Sequence, residues 1–330
     1  MQKKLEKFCF KYNLGRLSQS ISKVSGGLLH QMYRVKTTQG EFAIKILNPN
    51  IMKRSTALSN MIHSELVANQ LKDIVPLVAA RSIEGNYVVE FEGLYYMVFD
   101  WHDGESIFSP EITKEHCRQI GDALGKIHAA NVHVAGIVKE QNSRDVYDWV
   151  MYLEDAKVKS VECYQLLKDS LSDIRKWDEG VVNSWDRLSK CQVISHRDLD
   201  PKNVLWKDNL ACIIDWESAG YVNPYQELIE VLNYWIVGED GNLDKEKFEA
   251  LMTAYTEYMS IREVDWQVVQ KCSYDGMLGW LEYSIKRALG LEGDGPLEKE
   301  EGLNQTKVTI QELKRYESRM NMFFEWIRTF

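Results

Sequence analysis

Proline is scarce in this sequence, six in 330 residues, and none falls between positions 111 and 200. Nothing in that stretch forces a helix to break. Long apolar runs are missing too: no segment carries 18 consecutive apolar residues, which argues against a membrane span. The basic opening, Met1-Gln2-Lys3-Lys4-Leu5-Glu6-Lys7, is not followed by an apolar stretch of signal-peptide length, so a cytoplasmic location is expected. Cysteine is confined to six scattered positions (Cys9, Cys117, Cys163, Cys191, Cys212, Cys272), with no C-x-x-C pair and no His cluster nearby. That spacing fits free thiols in a reducing compartment better than a disulfide frame or zinc site. Positive charge is in deficit, 40 Lys and Arg against 49 Asp and Glu, which makes nucleic acid a poor partner.

What is present is a composition able to build a large core, 45% hydrophobic and 11% aromatic, enough for two lobes. The charge is uneven. Residues 1–100 carry a net +5 and residues 101–330 a net −14. A basic front suits a nucleotide and an acidic back a cationic small molecule; ordinary solubilising surface charge gives the same asymmetry.

Residues 21–47 alternate like strands. Ile21 to Val24, Met32 to Val35 and Glu41 to Leu47 are separated by Ser25-Gly26-Gly27 and Thr38-Gln39-Gly40. Three antiparallel strands follow from that pattern. Leu58, Ile62, Leu66 and Leu71 recur at helical spacing over 55–73, and strands at 87–91 and 94–99 flank a Glu92-Gly93 turn. After Asp103-Gly104 helical periods take over, as in Ile120, Leu124 and Ile127, then Val146, Trp149 and Leu153, then Leu171, Ile174 and Trp177. Gly290 to Gly302 reads as a loop between the last helices. The expected class is α+β, with a small antiparallel-sheet lobe plus one helix over 1–100 and a larger, mostly helical lobe over 101–330.

One stretch carries chemistry. His196-Arg197-Asp198-Leu199-Asp200-Pro201-Lys202-Asn203 follows an apolar run, and a second run, Ile213-Ile214, delivers Asp215 twelve residues beyond Asn203. A two-stranded ribbon would bring Asp198, Asn203 and Asp215 together. A carboxylate beside a hydroxyl, with an amide and a second carboxylate to share hard cations, is what phosphoryl transfer from a Mg-nucleotide requires. Asp198 is the candidate base, and Asn203 and Asp215 the candidate Mg²⁺ ligands. Lys45, in Ala43-Ile44-Lys45 on a central strand, needs a partner. Glu65 on the next helix is the natural one and Glu41 a competitor; the pair would set an ammonium on the nucleotide phosphates.

At these residues the chain resembles the aminoglycoside phosphotransferase and choline kinase branch of the protein-kinase-like superfamily, whose brace reads H-x-D-x-x-x-x-N, then an apolar strand and Asp. The resemblance covers about residues 20 to 235. It implies a bilobal protein-kinase-like fold, ATP or GTP with Mg²⁺, and a small-molecule hydroxyl acceptor. It also implies that His196 packs behind Asp198, that Ser25-Gly26-Gly27 covers the phosphates, and that Phe99-Asp100-Trp101-His102-Asp103-Gly104 forms the inter-lobe hinge. There the adenine would pair with backbone groups of Asp100 to His102. Departures are visible. Arg197 replaces the glycine usual in the antibiotic-kinase branch, Asp200 stands where a serine/threonine protein kinase has its phosphate-contacting lysine, and no long activation loop follows Asp215.

Asp148, Glu154, Asp155, Glu230, Asp275 and Glu282 are candidates for binding a cationic acceptor, although each also suits a solvated helix face. The leading expectation is an ATP-dependent O-phosphotransferase acting on an aminoglycoside-like molecule. A metabolic kinase for a choline-, amino alcohol- or sugar-like acceptor is the alternative. A nucleotide-binding pseudokinase stands behind both.

Overall fold

The computed structural model describes every residue except 25–29, 140, 142 and 294. Two compact units make up the chain. The first comprises Met1–Val138, Val193–Tyr221 and Ala250–Met259; the second comprises Lys139–Gln192, Val222–Glu249 and Ser260–Phe330. The division expected near 100–104 falls inside the first unit.

That unit opens with α1 (Gln2–Lys11), which buries Leu5, Phe8 and Cys9 in one core with Tyr12, Val35, Phe42, Ile44, Tyr96 and Val98. A five-stranded antiparallel sheet follows: β1 (Ser22–Val24), β2 (Gln31–Thr37), β3 (Gly40–Ile46), β4 (Val89–Phe91) and β5 (Leu94–Asp100), in the order β1-β2-β3-β5-β4. Two-residue turns close both hairpins. Thr37 faces Gly40 across one, and Phe91 faces Leu94 across the other. Glu92 and Gly93 both take positive φ, 46° and 75°, as the mirror-image hairpin turn demands.

Between the hairpins lie α2 (Pro49–Met52) and α3 (Ala57–Leu71). Of the expected stripe on α3, Leu71 is buried, but the buried face is not the one that Leu58, Ile62 and Leu66 suggest. Those three are only half-buried, while Met61, Ser64, Glu65, Ala68 and Leu71 are fully buried. The buried face includes Glu65, which finds an internal donor in the Ala80 N–H.

Further along are α4 (Lys114–Ala130), β6 (Val193–Ser195), and the hairpin of β7 (Val204–Lys207) with β8 (Leu210–Ile213). Strand β9 begins at Gly220 and pairs with β6. Glycines let α4 approach backbone closely. A Cβ on Gly121 would stand 2.1 Å from the carbonyl oxygen of Leu251, and one on Gly125 would stand 3.0 Å from that of Tyr255. One turn on, His128 Nδ1 lies 3.0 Å from the Tyr255 hydroxyl.

The second unit is helical: α5 (Trp149–Val158), α6 (Tyr164–Leu188), α7 (Pro224–Trp235), part of α8 (Lys245–Thr256), α9 (Trp266–Cys272), α10 (Asp275–Leu289) and α11 (Pro296–Thr329). The loop expected over 290–302 is shorter than the sequence suggests. Gly290 caps α10 at φ 69°, and α11 starts at Pro296, a residue pre-shaped for a first helical turn. Gly302 therefore lies inside α11. There a Cβ would sit 2.5 Å from the Ala288 nitrogen, so the glycine serves helix packing rather than a turn. Among the described residues, no helix is long and apolar enough to cross a membrane.

Candidate active site

The ribbon places its polar residues by hydrogen bonds that end at both strands. His196 is fully buried. Its Nδ1 accepts from the Asp198 backbone N–H at 3.2 Å, which puts the ring proton on Nε2, 3.0 Å from the carbonyl of Ile214. One imidazole thus ties the loop to the strand that delivers Asp215. Pro201–Asn203 forms a single tight turn started by Asp200, whose carboxylate accepts from the Lys202 N–H at 2.8 Å. Asn203 follows, 4% exposed, and its amide nitrogen donates to the Asp198 carbonyl at 2.8 Å and to Asp198 Oδ2 at 2.9 Å. The Asn203 carbonyl accepts from Ile214 N at 2.9 Å. The ribbon thus ties Asn203 to Asp198 through its amide nitrogen and to the residue before Asp215 through its backbone carbonyl.

Lys45 projects from β3 and is 7% exposed. Its ammonium lies 3.1 Å from Asp215 Oδ1 and donates to Glu217 Oε1 as well. Burial works to lower the Lys45 pKa, but the charges of Asp215 and Glu217 outweigh it and the net shift is upward. Glu217 is also pushed up by burial, yet the neighbouring His30 ring and the charge of Lys45 carry it down to about 2. His30 is itself buried: Nδ1 accepts from Asn48 N at 2.9 Å, and Nε2 is 3.4 Å from Glu217 Oε2.

The expected Lys45–Glu65 pair is replaced by this arrangement. Glu65 Oε2 accepts from the Ala80 N–H at 2.7 Å. Burial raises its pKa to about 7 against the opposing effects of that N–H and of Lys45. A fixed backbone donor has taken the carboxylate, while the lysine reaches the ribbon. The competitor Glu41 pairs with Arg34 and lies 3.6 Å from Lys36.

At the end of β5, Phe99 packs half-buried against Leu47, Met61, Ala80, Val88 and Met97. The Trp101 N–H is committed to the Glu41 carbonyl at 2.9 Å, and its indole carries the Arg34 guanidinium at 4.2 Å. Asp100 faces Phe42 in the alternate, non-bonded position, so its backbone groups point away from β3. Its carboxylate takes Arg81 at 3.1 Å. His102 Nε2 is buried without a hydrogen-bond partner among the described residues. Ser25, Gly26 and Gly27 lie outside the described residues.

The six acidic candidates all belong to the second unit, and three have local tasks. Asp148 caps α5 by accepting from Met151 N at 2.9 Å. Asp275 is 2.6 Å from Arg144 Nε, and that guanidinium also grips the fully buried Asp178 at 2.6 Å. Glu282 holds the Tyr152 hydroxyl and Lys286. Glu154 is exposed, and Asp155 and Glu230 are half-buried.

Three site residues escaped the reading of the sequence: Glu217, His30 and Lys202. Glu217 was signalled by its place two residues after Asp215, and Lys202 by its position four after Asp198; its ammonium lies 3.2 Å from Asp198 Oδ1 and 3.6 Å from Asp200 Oδ2. His30 had no sequence signal at all.

Oxygen donors dominate the site. Asn203, Asp215 and Glu217 could hold a hard cation, and the donor set fits Mg²⁺. No three His, Cys, Asp or Glu among the described residues form a metal cage.

The profile of the Phosphotransferase enzyme family matches residues 20–262. Homoserine kinase of Pseudomonas aeruginosa is 27% identical over 255 residues, 76% of this chain and 75% of that protein. Spectinomycin phosphotransferase, solved with ADP and spectinomycin, matches with a TM-score of 0.71 at 13% identity, over 96% of this chain and 98% of that one. Choline kinase from Cryptosporidium parvum matches with a TM-score of 0.63 at 13% identity, over 100% and 99%. The fold is the expected α+β protein-kinase-like one. Fold and relatives together define a small-molecule kinase, an enzyme that phosphorylates a hydroxyl. The chain belongs to the Phosphotransferase enzyme family.

Proposed function

We propose that this enzyme transfers the γ-phosphoryl group of ATP to the hydroxyl of a small metabolite, with Asp198 as base. The observation that carries the reading is the single ribbon that pairs Asp198 with Asn203 and sets Asp215 beside Lys45. The acceptor oxygen would form its bond to Pγ while the bond from Pγ to the β,γ-bridging oxygen breaks, its electron pair leaving on ADP. Asp198 orients the hydroxyl and takes its proton, and Asn203 holds the carboxylate in place. Lys45 would exchange its carboxylate partners for phosphate oxygens. Asn203, Asp215 and Glu217 would hold Mg²⁺, which when bound neutralises charge on the phosphates.

A metabolic acceptor is favoured over a polyamine antibiotic for two reasons. Homoserine kinases are among the relatives of the chain, and Asp148, Asp275 and Glu282 are engaged inside their own unit. An ADP-release assay with L-homoserine, choline, ethanolamine and spectinomycin tests the choice. A small amino alcohol is expected to turn over, and turnover of spectinomycin alone would reverse it. Asp198→Asn is expected to reduce transfer by about 10³-fold with the Kd for Mg-ATP nearly unchanged. Comparable turnover in that variant would remove Asp198 as base.

A further inference from the structure

Both oxygens of Asp198 are engaged before any substrate arrives, but by very different groups. Oδ2 meets the amide of Asn203 at 2.9 Å, and Oδ1 meets the ammonium of Lys202 at 3.2 Å. Asn203 is 4% exposed and bonded through side chain and backbone alike. The Lys202 side chain is 55% exposed on a flexible stem. One is a fixed strut, and the other is a cation free to relocate by a few ångströms.

Asp200 sharpens the point. Its carboxylate lies 3.6 Å from the same ammonium, so Lys202 is the charge that balances two carboxylates. Without it, Asp198 and Asp200 would present two negative charges to an incoming polyphosphate. In the loose transition state of phosphoryl transfer, charge spreads over three equatorial oxygens of the group in flight. The attacking oxygen is hydrogen-bonded to Asp198, so those equatorial oxygens pass close to whatever sits on the Asp198 carboxylate. In this chain those groups are the Asn203 amide and the Lys202 ammonium, and of the two Lys202 carries the charge.

We propose that Lys202 is a second catalytic residue: its ammonium yields Asp198 Oδ1 to the acceptor hydroxyl and stabilises the equatorial oxygens of the transferring phosphoryl group. The inference rests on the reading of Asp198 as base. The atoms balance as in the transfer already described, with the hydroxyl proton passing to Asp198 and the leaving electron pair to ADP. Lys202 neither gains nor loses a proton.

The test uses the full chain and the acceptor identified by the ADP-release assay, with L-homoserine tried first. Lys202→Met is expected to lower kcat by about 100-fold, the scale of losing one preorganised donor to transition-state charge. KM for ATP, Kd for Mg-ADP and the urea unfolding midpoint should hold within experimental scatter. Lys202→Arg should restore kcat to within about tenfold of wild type, because a charge and not a shape is needed. An i,i+4 surface ion pair of no catalytic consequence would leave kcat of Lys202→Met within about threefold, and that result overturns the inference. So does a loss confined to KM, or a failure of Arg to rescue. Asp198→Asn separates the two claims. If it is inactive while Lys202→Met is fully active, the base stands and this inference falls; if it stays active, or wild type turns over no acceptor, both fall.

Discussion

Arg197 and Asp215 hold left-handed backbone conformations, φ 65° and 61°, where a side chain with a Cβ is strained by about 1 kcal/mol. At Asp215 the strain accompanies a carboxylate aimed at Lys45. At Arg197 it explains why the antibiotic-kinase branch, which this segment resembles, prefers glycine there. A pair of variants isolates the effect, since both lose the guanidinium and only one relieves the backbone. Arg197→Gly should be more stable than Arg197→Ala by about 1 kcal/mol in urea unfolding. Equal stabilities would show that the backbone relaxes at no cost. Residues of the ribbon were readable from sequence because hydrogen bonds within a short loop fix Asp198, Asn203 and Asp215 relative to one another. The partner of Lys45 was not readable. Glu65 lies in the next helix, but Ala80 N takes its carboxylate, and Glu217, 172 residues from the lysine, takes its place. Such exchanges depend on which donors the fold brings near, which spacing along a chain does not encode.

Elements follow the same division between local and distant causes. The strands and hairpin turns of the sheet were legible, since alternation and turn chemistry are local. Helix α1 was not foreseen, because lysines and a glutamate mask the short stripe of Leu5, Phe8 and Cys9. The face of α3 and the start of α11 were misread because a buried Glu65 and an interhelical Gly302 contradict the usual meaning of glutamate and glycine. Glycines in helices therefore differ by position. Gly121 lies where a Cβ would collide with a backbone carbonyl, whereas Gly180 in α6 has nothing within 4 Å of that point. Gly121→Ala should destabilise by about 2 kcal/mol or more through overpacking. Gly180→Ala should stabilise by about 0.5–1 kcal/mol by stiffening the unfolded chain and favouring the helix. Thermal and urea unfolding check both, and a neutral Gly121→Ala would mean that α4 can shift.

For the molecule as a whole, pH tests the placement of Glu65. Its folded pKa, about 7, lies above the ordinary 4.5, so the folded chain binds this proton more tightly than the unfolded one. The stability it confers is complete below about pH 4.5 and is lost as pH rises through 7, a total on the order of 3 kcal/mol. Glu65→Gln should flatten the fall in unfolding free energy between about pH 5 and 8. An unchanged slope would place the titrating group elsewhere. The uneven charge readable in the sequence, basic at the front and acidic behind, said nothing of this, because burial and not net charge sets it.

The embrace of one ammonium by Asp215 and Glu217 has a thermodynamic consequence. If Lys45 binds nucleotide as proposed, a nucleotide arriving without a cation would draw it toward the phosphates and leave two carboxylates facing more negative charge. A cation arriving alone finds those carboxylates already shared with the lysine. On that reading each ligand would remove the obstacle to the other, and nucleotide and divalent cation would be heterotropic effectors of one another by an equal factor in both directions. Titration calorimetry of ATP with and without Mg²⁺, and of Mg²⁺ with and without ATP, should close that cycle. In Lys45→Met the coupling attributable to the lysine should shrink, because nothing remains to be exchanged.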